Sequence, residues 1–225
     1  LFLGSSCIYP KSAKQPIREE ELLQAPLEKT NEAYALAKIS GIKLVEYLRK
    51  EKEFDGISLM PTNLYGKNDN YTLNESHVLP ALIRKIYEAK EKNLSFVECW
   101  GTGKPLREFL YVDDLGDAAV FALETWDPKE KESPTDDHGN KLTYLNVGTG
   151  KDISIFELSN MLKEMIGFTG EIKWNTKKPD GTYKKQLDVS RIMKLGWGPK
   201  VKLKDGIKKT IQFFIDERNN NSIRI

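Results

Sequence analysis

The strongest constraint on this chain is the way short apolar runs alternate with stretches of helical periodicity. Residues 1–4, 56–60, 95–99, 144–147 and 171–174 read as strands. Between the first two, Ala33, Leu36, Ala37, Ile39, Ile42, Leu44, Val45 and Leu48 recur at helical spacing, with Thr30 or Asn31 available as a cap. Further helices are predicted over 78–92, with Pro80 in the first turn, over 112–124, with acidic residues at its start, and over 155–166, 189–195 and 205–217. Pro10, Pro16 and Pro26 exclude continuous regular structure before the first helix, and 127–141 is a surface loop by composition. Strands and helices alternating at this length imply an α/β fold with a mostly parallel sheet, and the last quarter reads as a smaller α/β lobe.

Bulk properties narrow the partners. The 225 residues carry a formal net charge of +2 with lysines spread along the chain, so no basic block argues for nucleic acid. The apolar runs 57–60 and 118–123 are far too short to span a bilayer. Cys7 and Cys99 are the only cysteines, and with two histidines in no ligand spacing they suggest neither a disulfide framework nor a metal site. A reducing, cytoplasmic setting is the expectation.

Chemistry concentrates near the beginning. The first strand ends in G-S-S-C, placing Ser5, Ser6 and Cys7 at its tip, and the first helix carries Tyr34 and Lys38. An i,i+4 pair shares one helix face, so the ammonium can sit beneath the phenol and favour its ionised form. The spacing alone also arises in ordinary amphipathic helices. Likewise, Cys7 on residue type is as well a small buried hydrophobe, and His77 a capping or loop histidine. His138 sits in the charged loop and reads as solvent-exposed. No glycine-rich turn between a strand and a helix occurs anywhere in the chain, although a dinucleotide's pyrophosphate normally rests on one. The expectation is a fragment of a longer protein.

Seven runs stand in order: G-S-S-C-I-Y-P, Y-A-L-A-K, M-P-T-N-L-Y-G, S-H-V-L-P-A-L, W-G-T-G-K-P-L-R-E-F-L-Y-V-D-D, N-V-G-T-G and K-P-D-G-T. Together they resemble the extended short-chain dehydrogenase/reductases, and within these the GDP-4-keto-6-deoxy-D-mannose 3,5-epimerase-4-reductases, over that family's C-terminal two thirds. The resemblance implies the C-terminal part of a Rossmann-like domain, residues 1–60 with 112–148 returning, and a substrate-binding lobe, residues 61–111 and 149–225. It implies two steps. Epimerisation at C3 and C5 beside the C4 ketone needs an acid and a base with pKa values near neutrality, and these roles fall on Cys7 and His77. NADPH-dependent reduction at C4 to GDP-L-fucose follows, with Tyr34 as proton donor, Ser5 hydrogen-bonding the forming alkoxide and Lys38 keeping the phenol acidic.

The resemblance further implies cofactor contacts for Ser5, Ser6, Tyr34, Lys38, Pro61, Thr62, Asn63, Leu64 and His77. Substrate contacts are implied for Lys85, Trp100, Arg107, Asp180 and Lys185. The family can carry arginine where Lys85 stands, so bidentate geometry is lost there. Trp174 and Trp197 are expected in the small lobe's core. A homodimer through the helix of Tyr34 and the helix from Val78 is implied. The main phosphate-binding segment is absent from this chain, so the 225 residues alone are expected to be inactive as a reductase. Two alternatives stand beside this reading. One is a catalytically silent binding module. The other is a related nucleotide-sugar 4-epimerase or 4,6-dehydratase, which the cysteine after the serine pair argues against.

Overall fold

A computed structural model describes residues 1–72 and 76–224. The strands are β1 (Phe2–Leu3), β2 (Ser58–Pro61), β3 (Asn63–Tyr65), β4 (Phe96–Trp100), β5 (Leu106–Tyr111), β6 (Tyr144–Val147), β7 (Asp152–Ser154), β8 (Glu171–Asn175) and β9 (Lys184–Lys185). The helices are α1 (Glu32–Lys52), α2 (Val78–Glu91), α3 (Val112–Thr125), α4 (Ile155–Ile166), α5 (Ser190–Lys194) and α6 (Leu203–Asn219). The chain divides into two compact units: residues 1–64, 108–151 and 185–200, and residues 65–107, 152–184 and 201–225. Residues 61–64, 108–111, 149–151 and 185–200, expected in the substrate-binding lobe, belong instead to the first unit.

In the first unit β1, β2 and β6 form a parallel sheet in that order. Phe2 stands opposite Ser58, and Leu59 stands opposite Leu3 on one side and Leu145 on the other. Parallel neighbours need a crossover, and α1 supplies it between β1 and β2. The helix seats Ile39 and Ile42 against the sheet, in a core with Ile8, Leu59, Met60, Leu110, Leu145 and Val147. Gly4 lets it come close, since a Cβ there would lie 2.9 Å from Ile42 Cδ1 and 3.2 Å from Met60 Cγ. Trp197 is buried in this same core, with Nε1 donating to Asp117 at 3.0 Å. The expectation that it fills the small lobe is thus corrected.

In the second unit β4 and β8 pair in parallel, with Cys99 opposite Trp174. α2 and α4 bury Leu79, Leu82, Ile83 and Ile86 and Leu158, Leu162 and Ile166 respectively. Tyr71 packs on Phe214 of α6 with ring centroids 4.7 Å apart. The sequence writes both ends of α4. Ser154 and Glu157 form a reciprocal capping box, and Gly167 closes the helix at φ +73°. Lys90 Nζ adds a donor to the Ile166 carbonyl at 2.6 Å.

Candidate active site

The first unit brings the serine–cysteine turn against the start of α1. β1 stops at Gly4, and residues 6–8 form one turn of 3-10 helix whose cap is Ser5. Ser5 Oγ accepts the Cys7 N–H at 3.2 Å, which fixes serine and sulfur on the same turn. Ser6 is buried and Ser5 half-buried, so of the two hydroxyls Ser5 is the accessible one. On α1, Tyr34 is 46% exposed and Lys38 Nζ lies 5.8 Å from the centre of its ring. Lys38 is anchored by donating to the Leu3 carbonyl at 2.8 Å. The i,i+4 geometry expected from the sequence is thus present, with the ammonium clamped to the strand that carries the serines.

The sulfur has a feature the sequence reading did not single out. Lys185 Nζ donates to Cys7 Sγ at 3.3 Å. Asn31, the residue preceding α1, makes no side-chain cap on the helix and instead hydrogen-bonds the thiol. Burial works to raise the thiol. The Lys185 charge and the hydrogen bonds from Ser5, Lys185 and Asn31 outweigh it and hold Cys7 below its ordinary value. Cys99 is the counterexample: burial pushes its thiol up against the weaker pull of Lys85.

Pro61, which ends β2, and Thr62 are buried, and Asn63 and Leu64, which begin β3, are half-buried. Thr62 Oγ1 and Asn63 Nδ2 both donate to the Glu108 carbonyl, at 3.2 and 2.8 Å. The Glu108 side chain, fully buried, supports the G-T-G loop after β6. Its carboxylate accepts from the backbone N–H of Thr149 (2.6 Å), Gly150 (2.9 Å) and Leu187 (2.8 Å). Burial dominates nonetheless and pushes the Glu108 carboxyl up. The G-T-G run is a visible motif, whereas the glutamate that holds it carries no local signal, because its partners are backbone groups far away in sequence.

The second unit holds His77 and four of the five expected substrate contacts; Lys185 belongs to the first. His77 is exposed and directly precedes α2 without capping it, so the capping alternative is removed. A cleft of about 170 Å³ is lined by Val78, Trp100, Pro105, Arg107, Ile155 and Asp180. Asp180 binds the W-G-T-G turn, accepting from Thr102 N at 2.8 Å and Thr102 Oγ1 at 2.7 Å, and the Thr102 hydroxyl holds its carboxyl below the usual range. That turn requires glycine: Gly101 and Gly103 have φ of +75° and +73°, and a Cβ on Gly103 would lie 2.8 Å from the Trp174 ring. Trp100 is 61% exposed, with Lys85 Nζ 5.6 Å and Lys178 Nζ 5.2 Å from its ring centre. Lys178 was not singled out in the sequence, although it opens the K-P-D-G-T run. An open aromatic face, two ammonium groups and a guanidinium fit a nucleotide carrying phosphates.

The chain is similar to proteins of known family. The profile of the NAD dependent epimerase/dehydratase family matches residues 1–148. A probable GDP-L-fucose synthase 1 of Oryza sativa subsp. japonica is 51% identical over 96% of this chain, and the GDP-L-fucose synthase of Escherichia coli K12 is 46% identical over 97%. The chain spans 62% of the length of the first and 67% of the second. Among solved structures, a GDP-mannoheptose C4 reductase from Campylobacter jejuni with NADP bound superposes with a TM-score of 0.82. It is 36% identical, and the match covers 95% of this chain and 69% of that one. With a parallel-sheet α/β architecture, the family's matching profile and relatives of this identity, the chain belongs to the NAD dependent epimerase/dehydratase family.

Proposed function

We propose that the chain carries the chemistry of a GDP-L-fucose synthase: 3,5-epimerisation of GDP-4-keto-6-deoxy-D-mannose, then reduction at C4 to GDP-L-fucose. The observation that carries this reading is the placing of Cys7, its sulfur 3.3 Å from Lys185 Nζ and two residues from Ser5, on the turn that packs against the helix of Tyr34 and Lys38. A C4 ketone acidifies the protons on C3 and C5. The Cys7 thiolate removes such a proton to become a thiol, and the electron pair moves onto the C4 oxygen as an enolate. His77 is the acid that returns a proton to carbon on the opposite face. In reduction, Tyr34 delivers its hydroxyl proton to the C4 oxygen, Ser5 hydrogen-bonds that oxygen and Lys38 stabilises the tyrosinate left behind.

NADPH supplies the hydride when bound. The accessible Ser5, the exposed Tyr34 and the clamped Lys38, together with residues 61–64, suit the nicotinamide end of such a cofactor. A glycine turn for its pyrophosphate is not among these 225 residues. The 225-residue chain by itself is accordingly proposed to lack reductase activity while retaining proton exchange. Arg107, Lys85, Trp100 and Asp180 are assigned to the GDP moiety.

The reading extends to a cytoplasmic homodimer. α1 exposes Leu36, Leu44 and Tyr47, and α3 exposes Val120 and Leu123. α2, the second helix of the pair that resemblance implies, buries its apolar residues within its own unit. No described helix is long and apolar enough to cross a membrane.

The test is solvent-proton exchange. Incubated in D2O with GDP-4-keto-6-deoxy-D-mannose, the chain is expected to incorporate deuterium at C3 and C5, read by mass spectrometry. Cys7→Ser and His77→Ala abolish the uptake. Turnover of UDP-galactose without any exchange into the GDP-sugar would overturn the reading.

A further inference from the structure

We propose that Lys185 and Asn31 are positioning residues for Cys7, keeping its sulfur as a thiolate before substrate arrives. This is a role other than the nucleotide contact that resemblance assigns to Lys185, and its catalytic meaning rests on the epimerase reading.

The geometry runs as follows. A lysine ammonium offers three donors and no acceptor, so at 3.3 Å the sulfur is the accepting partner. Hydrogen bonding to the charged form and an adjacent cation both favour thiolate over thiol. The helix beginning at Glu32 goes without a side-chain cap from Asn31, whose side chain is among the groups that favour the charged sulfur. Ser5 completes the set, bound to both the Cys7 amide and the thiol.

Glu28 and Lys38, charged groups on neighbouring segments, are paired with other partners. Glu28, which feels the Lys185 charge, is paired with Lys11 at 3.1 Å. Lys38, on α1 with Tyr34, donates to the Leu3 carbonyl at 2.8 Å. Among the described residues, Lys185 is the cation whose charge acts on Cys7. Its neighbour Lys184 is paired instead with Asp152 at 3.3 Å, which makes the two adjacent lysines a matched pair for a test.

The consequence for the reaction is a base that is ready at neutral pH. A free thiol with a pKa of about 8.5 is only a few per cent ionised at pH 7, and each unit of lowering increases the thiolate about tenfold until it dominates. Lys185 does not itself touch the reacting carbon. It acts through the sulfur.

The experiment is the pH profile of Cys7 alkylation by iodoacetamide on the 225-residue chain, followed by peptide mass spectrometry, with buried Cys99 as internal reference. The wild-type midpoint is expected below the ordinary free-thiol value. Lys185→Met should raise the midpoint by at least about half a pH unit and slow alkylation at pH 7 about threefold or more. Lys185→Arg should restore most of the loss, Asn31→Ala should shift the midpoint in the same direction by less, and Lys184→Met should leave it unchanged. An unshifted midpoint in folded Lys185→Met, or an equal shift in Lys184→Met, would overturn the proposal. A wild-type midpoint at or above the free-thiol value does so with no variant at all, which covers the case of a misfolded mutant. The titration needs no substrate. Loss of deuterium exchange with an intact low midpoint would strike the epimerase reading alone, and a high midpoint with intact exchange would strike this inference alone.

Discussion

Removing the Glu108 carboxylate should unlatch the loop after β6, and the structure supplies the magnitude. Glu108→Ala leaves three backbone N–H groups without their acceptor, those of Thr149, Gly150 and Leu187. Each unsatisfied donor costs about 1–3 kcal/mol, and water reaches the partly exposed loop, so about 3–5 kcal/mol is the expected total. For a chain of this size that corresponds to a melting temperature lower by about 10 °C. Glu108→Gln keeps one acceptor oxygen but turns an NH2 group toward a backbone N–H, and should lose about 1–2 kcal/mol. The pH dependence gives a second, independent signature. Burial raises the Glu108 carboxyl above its ordinary 4.5, so between that value and the raised one the native state holds a proton the unfolded chain has released. Stability from this group is therefore fully present below the unfolded value and lost as pH rises through the folded one. Glu108→Gln lacks that slope, so its deficit against wild type should be larger at about pH 5 than at pH 7. Thermal melting across pH, with hydrogen exchange of the Thr149, Gly150 and Leu187 amides, measures both. Glu108→Ala melting within about 2 °C of wild type with those amides still protected would refute the account.

Three further outcomes follow from the second unit and from α1. Gly103→Ala places a Cβ at φ +73° and 2.8 Å from the Trp174 ring, and should destabilise by about 2–3 kcal/mol in a denaturant titration. Asp180→Ala frees the W-G-T-G turn from both of its Thr102 bonds. GDP binding measured by calorimetry should weaken about tenfold, the size of one charged hydrogen bond, and unchanged affinity would remove Asp180 from the site. Leu44→Glu, at an exposed apolar position on α1, tests the proposed homodimer: it should lower the sedimentation coefficient toward that of a monomer without lowering the melting temperature.

The helices were legible because their signals are local. The period of 3.6 over residues 33–48 marks α1, and Ser154, Glu157 and Gly167 mark both ends of α4. What the sequence hid is whatever depends on a partner distant in the chain. Asn31 reads as a helix cap until a sulfur 24 residues earlier proves to be its partner. Trp197 is recognisably a core residue, but hydrophobicity does not say which core, and 185–200 returns to the first unit. Glu108 sits in an ordinary strand run, and nothing near it shows that its carboxylate is fully buried. Lys185 looks like any phosphate-binding lysine beside a K-P-D-G-T run until its ammonium is found on Cys7.

Ser5 links the two halves of the proposed chemistry, and this makes their mutants interdependent. Its hydroxyl accepts the Cys7 amide and also bonds the thiol, while the reduction step calls on that same hydroxyl for the C4 oxygen. One oxygen with one proton cannot serve the sulfur and a substrate oxygen as donor at once. As Cys7 takes a proton from carbon its charge disappears, its demand on the Ser5 proton falls and the hydroxyl is released to the sugar. Ser5→Ala should therefore raise the Cys7 alkylation midpoint as well as abolish C4 reduction in a cofactor-competent protein. Cys7→Ser, in contrast, should stop deuterium exchange yet leave reduction of an already epimerised keto-sugar intact. Reduction lost in Cys7→Ser with such a substrate would show that the sulfur, not only the turn that carries it, is needed to orient Ser5.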